Sequence, residues 1–270
     1  MLKKRLIASL LWRSGQLIQS KNFRHTNAVG NAYTAVDFFN TWAIDEIVLL
    51  DVTREKTEED RERFHRDLRE LSKRCFVPLA VGGWLSTIDE MRQLLTEGAD
   101  KIVLNTEAYR DGEIIEKGAK RFGKQCIVIS IDARKANGRY EVVIDRGQEF
   151  TDTSPVEWAK TAEKLGAGEI LLRSIDHDGT KQGYDLELVA SVSAAVSIPV
   201  IAAGGAGEWE HFQQGIEAGA LAVAAGNLFQ HAEQSTKKVK NALFEHGIDV
   251  RRPEFYDIGT PRKIIYRVDS

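Results

Sequence analysis

Eight short apolar runs alternate with longer amphipathic stretches along the chain, and this alternation limits the possible folds more than any other feature. The runs are RLIASLL, EIVLLDV, VPLAVGG, KIVLNT, CIVISID, EILLRSID, IPVIAAGG and LAVAAGN. Apolar residues between them recur at helical spacing, as in TIDEMRQLLTEGA. Strands that alternate with helices form a parallel sheet covered on both faces, and right-handed crossovers favour its closure. The predicted fold class is α/β, a single (β/α)₈ TIM barrel.

The chain also repeats itself. VPLAVGGWLSTIDE resembles IPVIAAGGAGEWEH, and EGADKIVLNT resembles AGALAVAAGN. Pro78 then corresponds to Pro199 and Gly98 to Gly219, at one and the same offset. All strand–helix units resemble one another to some degree, but a constant offset over several strands indicates an internal duplication.

The duplication predicts the domain organisation. We expect one barrel over residues 1–252, made of half-barrels at about 1–122 and 123–252, and a C-terminal extension over 253–270. The KIIYRV segment of the extension could pair as an edge strand or contact a partner, and a loosely packed terminus is the alternative.

Composition narrows the class of protein. The net charge of −3 gives no reason to expect nucleic acid or an anionic membrane as a partner. Cys75 and Cys126 lie beside apolar runs, which favours buried thiols over a disulfide or a metal site. MLKKRLIASLLWRSG mimics a signal peptide, but its apolar run is short and ends at Arg13. We expect a cytoplasmic protein with no cofactor and no metal.

Glycines mark the C-terminal ends of several strands, where such barrels carry their active sites. They occur in GGW (82–84), GGAG (204–207) and GN (226–227). Glycine lets a ligand approach the backbone, and free N–H groups at a helix start suit phosphate. The last two strand ends predict one phosphate site, and the half-barrel symmetry predicts a second; tight turns alone are the alternative. The candidate phosphate-binding residues are Gly83, Asn105, Thr106, Gly205, Gly226 and Asn227.

Two aspartates add candidate chemistry at the same end. In SIDHDGTKQGYD, Asp178 could accept hydrogen bonds from sugar hydroxyls and Gly179 could face a phosphate, unless they form a plain Asp-Gly turn. Asp132 ends an apolar strand and shares a face with Val128 and Ser130. If that face is the lumen, Asp132 is a candidate general acid or base; a loop-capping carboxylate is the alternative.

Ionisable residues begin several strands at the opposite end. By strand alternation Arg5 lies on the same face as Leu11, and Glu46, Lys101 and Glu169 begin other strands. Two cations and two anions could satisfy one another in a ring that closes the floor of the barrel. Such a ring is either a structural plug or a gate through which a small molecule enters from a second protein.

These strings together resemble the cyclase subunit of imidazole glycerol phosphate synthase, from MLKKRLIASL to about Arg252. The specific ones are VGG, GADKIVLNTEA, VISIDARK, GAGEILLRSIDHDGTKQGYD, AGGAGEWEHF and HGIDVR. The resemblance implies a (β/α)₈ half-barrel duplication that pairs with a glutaminase subunit docked at its floor. It also implies that ammonia passes a charged gate, runs up the lumen and reacts with a substrate phosphorylated at both ends.

The resemblance also assigns roles to residues. Arg5, Glu46, Lys101 and Glu169 fall on the ammonia gate, and Asp100 falls on the glutaminase interface. Asp132 falls on one of two catalytic aspartates, and Asp51 matches a further acidic residue at a strand end. The phosphate positions fall on Asn105, Thr106, Asp178, Gly179, Gly205 and Asn227.

Four departures from the family pattern cluster at the predicted mouth. Leu11 occupies the position of the other catalytic aspartate, and Gln19 replaces a substrate-facing lysine. Trp84 replaces the third glycine of a GGG loop, so that its indole would fill the phosphate space. Arg173 replaces a threonine and should point inward by strand parity. With the floor intact, these changes indicate a new substrate rather than decay.

We therefore hypothesise a divergent paralogue that conducts ammonia but no longer forms imidazole. Relatives of this kind accompany amidotransferases that convert acetamido to acetamidino groups on sugars of bacterial surface polysaccharides. One alternative is a working cyclase in histidine synthesis, and another is a binding or scaffold barrel. A related sugar isomerase is disfavoured because it needs both aspartates and no floor gate.

Overall fold

The structure is a computed structural model that describes residues 3–231 and 235–251. The predicted extension over 253–270, with its KIIYRV segment, lies outside the described residues, so the expectation of an edge strand there stays a prediction. Within the described ranges, no helix is long and apolar enough to cross a membrane.

Eight parallel strands form the barrel, and the predicted fold class is confirmed. Each strand pairs in parallel with the next, and the last pairs with the first through Arg5 opposite Ala222. The strands are β1 (Arg5–Arg13), β2 (Glu46–Asp51), β3 (Leu79–Gly82), β4 (Lys101–Leu104), β5 (Ile127–Ala136), β6 (Glu169–Ser174), β7 (Val200–Ala203) and β8 (Ala222–Ala225).

Helices follow the strands and cover the outside of the barrel. Several begin at side-chain caps, as at Thr57, Thr87 and Ser154, where the hydroxyl accepts a backbone N–H from the first turn. The helices are α1 (Ala32–Thr41), α2 (Glu58–Ser72), α3 (Ile88–Thr96), α4 (Thr106–Arg110), α5 (Glu113–Phe122), α6 (Pro155–Leu165), α7 (Leu186–Ser193), α8 (Trp209–Glu217), α9 (Asn227–His231) and α10 (Ser235–Glu245).

The barrel has two separate apolar cores because successive strand residues point to opposite faces. The outer core lies between strands and helices and includes Leu6, Ile47 and Phe212. The inner core fills the lumen with small and branched side chains, among them Ile7 and Leu171. This division places the residues of each strand either in the lumen or under a helix.

A buried ion pair fastens the last helix to the floor. The Lys240 ammonium lies 2.6 Å from Asp45 Oδ1 and is fully buried. The Leu6 N–H donates to the other carboxylate oxygen at 2.8 Å, and the Thr236 hydroxyl donates to the Trp42 carbonyl at 2.7 Å. Burial lowers the pKa of Lys240, which Asp45 partly offsets.

The two cysteines form no disulfide. Both are half-buried rather than buried, which corrects the expectation from their apolar neighbours. Cys75 follows α2, and Cys126 lies in a short 3₁₀ turn before β5, so each sits in a connection instead of a strand interior.

Two hairpins, which the sequence analysis did not predict, extend the strand ends. The first joins Gln16–Lys21 to Arg24–Gly30 after β1, and the second joins Arg139–Ile144 to Glu149–Phe150 after β5. We call the first one the roof hairpin. Its turn holds Asn22 and Phe23 at φ of 51° and 61°, a conformation that usually selects glycine at the second position.

Candidate functional site

The four charged side chains at the floor form a closed ring of ion pairs. Arg5 contacts Glu46 at 2.5 Å and Glu169 at 2.9 Å. Lys101 completes the ring with 2.9 Å contacts to both carboxylates. Cations and anions therefore alternate, and each carboxylate oxygen has one cation of its own.

The ring is largely shielded from solvent. The Glu46 side chain is 2% exposed, while the Arg5 side chain is the most open at 23%. Burial acts to lower the pKa of Arg5, but Glu169 and Glu46 outweigh it and raise that pKa. Each side chain of the ring thus contacts two neighbours of opposite charge type.

Asp100 also lies at the floor, immediately before β4. It is exposed, and its Oδ2 accepts the N–H of Leu79 at 2.8 Å. Phe38 and Phe76 lie near the same end of the barrel, in α1 and just before β3, with 50% and 59% of their surface exposed. Asn40 joins these two segments, because its Oδ1 accepts the Phe76 N–H at 3.2 Å.

An apolar column separates the floor ring from the roof. It is made of buried lumen side chains that form one contiguous cluster: Ile7, Leu11, Ile18, Val48, Leu50, Ala80, Val103, Val128, Leu171, Ile201, Ala203, Ala222 and Ala224. Among these described lumen residues none is charged. An ion would therefore pay a large desolvation cost on entering, whereas a small neutral molecule would pay a much smaller one.

A cavity of about 490 Å³ opens at the roof, which is a size suited to a small metabolite. It brings together candidates from both halves of the chain, including Asp51, Gly83, Asn105, Thr106, Asp132 and Arg173. A smaller cavity of about 50 Å³ lies beside it and is lined by Asp178, Gly179, Gly205, Gly226 and Asn227. Leu11, Ser20 and Arg173 line both cavities and form the wall between them.

Asp132 lies at the top of the lumen, as strand alternation predicts. It is 5% exposed, and its Oδ1 accepts the Ser130 hydroxyl at 3.2 Å. Burial raises the pKa of Asp132, against the opposing effects of Arg173 and Ser130. Leu11, where the resemblance places the second aspartate of the family, is 8% exposed and packs within the apolar column. Asp132 is therefore a candidate acid or base without a partner carboxylate at that position.

Arg173 points inward and lies next to Asp132. Its guanidinium stands 3.9 Å from Asp132 Oδ1 and stacks on Phe23, with 4.2 Å between the guanidinium carbon and the ring centroid. The side chain is 15% exposed. Phe23 belongs to the turn of the roof hairpin, so this stacking brings the hairpin over the barrel mouth.

Hydrogen bonds fasten the roof hairpin to the far half of the barrel. Asp178 Oδ2 accepts the Ser20 hydroxyl at 2.7 Å and the Phe23 N–H at 3.1 Å. Asn227 donates to the Ser20 carbonyl at 3.0 Å. Asp178 and Asn227, which the sequence suggested for ligand binding, thus hold the hairpin in this structure.

The candidates of the other phosphate site are likewise hydrogen-bonded within the protein. Asn105 donates to the Ser130 carbonyl at 2.9 Å, and its Oδ1 accepts the Thr106 hydroxyl at 3.0 Å. The same hydroxyl oxygen accepts the Asp145 N–H at 3.0 Å. Asp51 is buried, with one carboxylate oxygen 2.6 Å from the Lys56 ammonium.

Trp84 follows Gly83 in the loop after β3. An added Cβ at Gly83 would collide with the backbone of Asp51, so only glycine fits there. Trp84 has φ of 59°, although it is not a glycine, and donates its indole N–H to the Thr53 carbonyl at 2.9 Å. It is 45% exposed. The indole forms part of the wall of the larger cavity, and the expectation that it fills the space of a phosphate stays a prediction.

Sequence reasoning missed the residues that the hairpins and long loops bring to the cavity. Phe23, His25, Arg54 and Arg146 all line it. Burial lowers the pKa of His25, with further lowering by nearby arginines. The turn residues Asn22 and Phe23 lack the Asn-Gly signature that would have predicted a hairpin.

Within the described ranges, no cluster of His, Cys, Asp and Glu side chains could hold a metal ion. What the site offers is the buried carboxyl group of Asp132, the neighbouring Arg173 guanidinium and an enclosed polar cavity above an apolar lumen. That arrangement can bind a small polar ligand and exchange a proton with it.

Comparisons with known proteins agree with this architecture. The family model described as "Histidine biosynthesis protein" matches residues 5–236. A "Putative imidazole glycerol phosphate synthase subunit hisF2" of Vibrio vulnificus (strain YJ016) is 42% identical over 252 residues, 93% of this chain and 92% of the relative. An "Imidazole glycerol phosphate synthase subunit HisF" of Clostridium botulinum (strain Okra / Type B1) is 43% identical over 254 residues, 93% of this chain and 100% of the relative.

Proposed function

The chain belongs to the histidine biosynthesis protein family, as a HisF-like barrel, and we propose that it conducts ammonia from a glutaminase without forming imidazole. One contrast carries the proposal. The floor keeps a closed ring of four charged side chains, while the roof has Leu11 opposite Asp132.

The chemistry of ammonia suits both the floor ring and the apolar column above it. Neutral ammonia is small and pays a modest cost on leaving water, whereas ammonium pays the full desolvation cost of an ion. A gap that opens in the ring by movement of one side chain would admit the neutral molecule into the apolar lumen. Arg5 is the most exposed member and is therefore our candidate for the moving side chain.

The proposed glutaminase partner docks at the floor. Exposed Phe38 and Phe76 supply apolar surface there, and Asp100 supplies a charge beside the ring. Scattered exposed aromatic residues are common on protein surfaces. Two of them beside the charged floor ring fit a protein interface, in which the aromatic residues form the apolar core and Asp100 belongs to the polar rim.

The roof has lost the pairing that cyclisation requires in the resembled family. Removing one general acid or base lowers a rate by about 10²–10⁴-fold. Arg173 stands beside the remaining carboxyl group, that of Asp132. Leu11 is a hydrocarbon and cannot exchange a proton with Asp132 or with a substrate. We expect no detectable conversion of the cyclase substrate.

The acceptor that we propose is a sugar acetamido group. A sugar amidotransferase activates the amide oxygen with a nucleoside triphosphate, ammonia attacks the amide carbon, and the activated oxygen leaves with its phosphate-containing group, which yields the acetamidino group. This step rests on the resemblance to paralogues associated with surface polysaccharides. It requires that the barrel deliver ammonia at the roof to the enzyme that activates the sugar, or to a sugar bound in the roof cavity.

A binding and stimulation assay tests the proposal. The full chain is mixed with a HisH-type glutaminase, and complex formation and glutamine hydrolysis are measured. We expect a stable heterodimer and faster hydrolysis than with glutaminase alone. If the two proteins neither bind nor affect each other, the ammonia-conducting function is wrong and a scaffold barrel becomes the better description.

A working cyclase is the second candidate, because identity to the Clostridium HisF extends over that whole protein. Incubation with the ribonucleotide substrate of the cyclase and ammonium salt at alkaline pH separates the two. Formation of imidazole glycerol phosphate at a rate comparable to a HisF control would establish the cyclase and exclude the loss of imidazole formation.

A further inference from the structure

Arg173 is a cation that lacks hydrogen-bonded partners. Among the described residues its guanidinium donates no hydrogen bond, and its contacts of note are the ion pair with Asp132 at 3.9 Å and the stacking on Phe23. A guanidinium carries five N–H donors, and a shielded one usually directs several of them to an acceptor. Arg173 lines both cavities, where a bound ligand could supply the missing acceptors.

The larger cavity has no surplus of positive charge. Within the described chain, its charged lining consists of five arginines and five carboxylates: Arg54, Arg61, Arg110, Arg146, Arg173, Asp51, Glu90, Glu107, Asp132 and Asp145. Several are already matched, because Arg146 pairs with Asp145 at 3.0 Å and Arg61 with Glu90 at 3.5 Å. Arg173 has, within the part of the chain that the structure describes, only the 3.9 Å ion pair with Asp132, which is too long for a hydrogen bond, so its N–H donors remain available for one oxyanion. The balanced lining offers little net attraction to a second negative charge.

The wall between the cavities limits the length of a ligand. Leu11, Ser20 and Arg173 separate the larger cavity from the small one near Gly205 and Gly226. The hydrogen bond from Ser20 to Asp178 keeps this wall in place. A ligand that spans both cavities would have to pass these three side chains, whereas a compact ligand fits the larger cavity alone.

We propose that the roof cavity is a binding site for a compact polar molecule with a single oxyanion, a carboxylate or a phosphate monoester, held by the Arg173 guanidinium. The planar fork of Arg173 matches either oxyanion with two parallel hydrogen bonds. The stacking on Phe23 fixes the plane of that fork. Asp132, Ser130 and Asn105 lie within the same lining and can bind the hydroxyl groups of the ligand.

The site would thus differ from one that holds a substrate by phosphates at both ends. The inference rests on the proposed function in one respect: it assumes that this protein no longer binds the substrate of the resembled cyclases, which carries a phosphate at each end. Ligand binding is measured without glutaminase or ammonia, so the site and the ammonia-conducting function can fail separately.

Isothermal titration calorimetry on the full chain tests the site with four probes. Glucuronate carries a carboxylate, glucose 6-phosphate a phosphate monoester, fructose 1,6-bisphosphate two phosphates, and glucose no charge. We expect glucuronate or glucose 6-phosphate to bind, glucose to show no binding, and the bisphosphate to bind no tighter than the monophosphate. The tighter of the two single-oxyanion probes identifies the kind of oxyanion.

Three variants decide whether Arg173 is responsible. Arg173→Gln should weaken binding by about 10- to 100-fold, as expected when charge-assisted hydrogen bonds are lost. Arg173→Lys should retain part of the affinity. Arg139→Gln is the matched control, because Arg139 is 69% exposed and lies outside the cavity lining. Circular dichroism and thermal melting establish that each variant is folded.

The proposal is overturned if neither single-oxyanion probe binds, or if the affinity in folded Arg173→Gln equals that of the wild type. It is also overturned if the bisphosphate binds more than about 10-fold tighter than the monophosphate, a gain of about 1.4 kcal/mol that would indicate two phosphate sites.

Discussion

Position 11 shows how one residue can alter a site while preserving the fold. Leu11 points into the lumen, as an aspartate there would, but it joins the apolar column and leaves Asp132 opposite a hydrocarbon. The substitution extends the apolar column up to the level of Arg173. A residue-scale change therefore lengthens the apolar path and removes half of an acid–base pair.

Restoring the aspartate should not restore cyclisation. We expect Leu11→Asp to lower the free energy of unfolding by about 1–3 kcal/mol, because a carboxylate replaces a buried apolar side chain. Cyclase turnover should stay undetectable, since Gln19 and Arg173 remain. Urea denaturation and a substrate-conversion assay measure the two effects. Recovery of substantial turnover would show that position 11 alone determines the loss.

The raised pKa of Asp132 makes a prediction about stability. Because burial raises this pKa above its unfolded value, the folded state holds the proton more tightly, and the protein loses stability as pH rises from the unfolded to the folded pKa. Asp132→Asn removes this cost, so it should stabilise the protein at pH 7 and less so at acidic pH. Urea denaturation at a series of pH values checks it. A stability difference that does not change with pH would contradict it.

At the scale of elements, the roof hairpin depends on contacts that are distant in sequence. Phe23 adopts a left-handed conformation that is strained for a non-glycine residue. Its N–H bonds to Asp178, and its ring stacks on Arg173. The hairpin is thus held by the sixth strand and the loop that follows it, which joins the two halves of the chain at the roof.

Loss of the Asp178 carboxylate should release the hairpin. We expect Asp178→Ala to accelerate amide hydrogen exchange over residues 16–30 and to leave the barrel strands protected. Hydrogen exchange followed by mass spectrometry measures this. Asp152→Ala is the control, because Asp152 is 90% exposed beside the other hairpin. Equal protection of 16–30 in both variants would show that Asp178 does not anchor the hairpin.

The floor ring links four strands of the barrel: β1, β2, β4 and β6. Glu46→Gln removes the carboxylate charge that compensates both Arg5 and Lys101. We expect it to lower the free energy of unfolding by about 3 kcal/mol. Glu113→Gln is the control, because its pair with Lys117 is exposed and solvent screens it, so its loss should have little effect. Chemical denaturation compares them. Equal effects would mean that solvent already screens the ring.

At the scale of the whole molecule, the two ends of the barrel carry opposite features. The floor has a charged ring beside exposed aromatics, and the roof has a polar cavity under a hairpin. The apolar lumen separates them. A barrel of this construction suits a protein that takes something in at one end and delivers or uses it at the other.

Partner docking should depend on the floor alone. We expect Phe76→Asp to weaken glutaminase binding by at least about 10-fold, as for an interface residue worth over about 1.4 kcal/mol. Phe150→Asp is the matched control, since Phe150 is 46% exposed on the hairpin after β5, at the other end. Biolayer interferometry compares the affinities. If both substitutions weaken binding equally, or neither does, the floor is not the docking face.

Much of the fold could be predicted from the chain because strand and helix periods are local properties. The same alternation placed Arg5 at the floor and Asp132 at the top of the lumen. The roof hairpin could not be predicted in this way, because the Asn22–Phe23 turn is held by contacts from the sixth loop and carries no local glycine signal. The antiparallel strand after β5 does carry such a signal, since Asn137 and Gly138 form its turn, and the sequence reasoning missed it. The boundary between half-barrels stays a prediction.

The sequence by itself determined a parallel barrel, the identity of the charged residues at its floor and the loss of one aspartate at its roof. The first two follow from strand parity and from residue identity, whereas the loss of an aspartate is what the resemblance to the cyclase family implies. Only the tertiary structure decided that the four floor charges alternate in a closed ring, that Asp178 and Asn227 hold a hairpin and that Arg173 faces a cavity without a hydrogen-bonded partner among the described residues. The reason is physical: these are distances between side chains from remote segments, and such distances exist only once the barrel has closed.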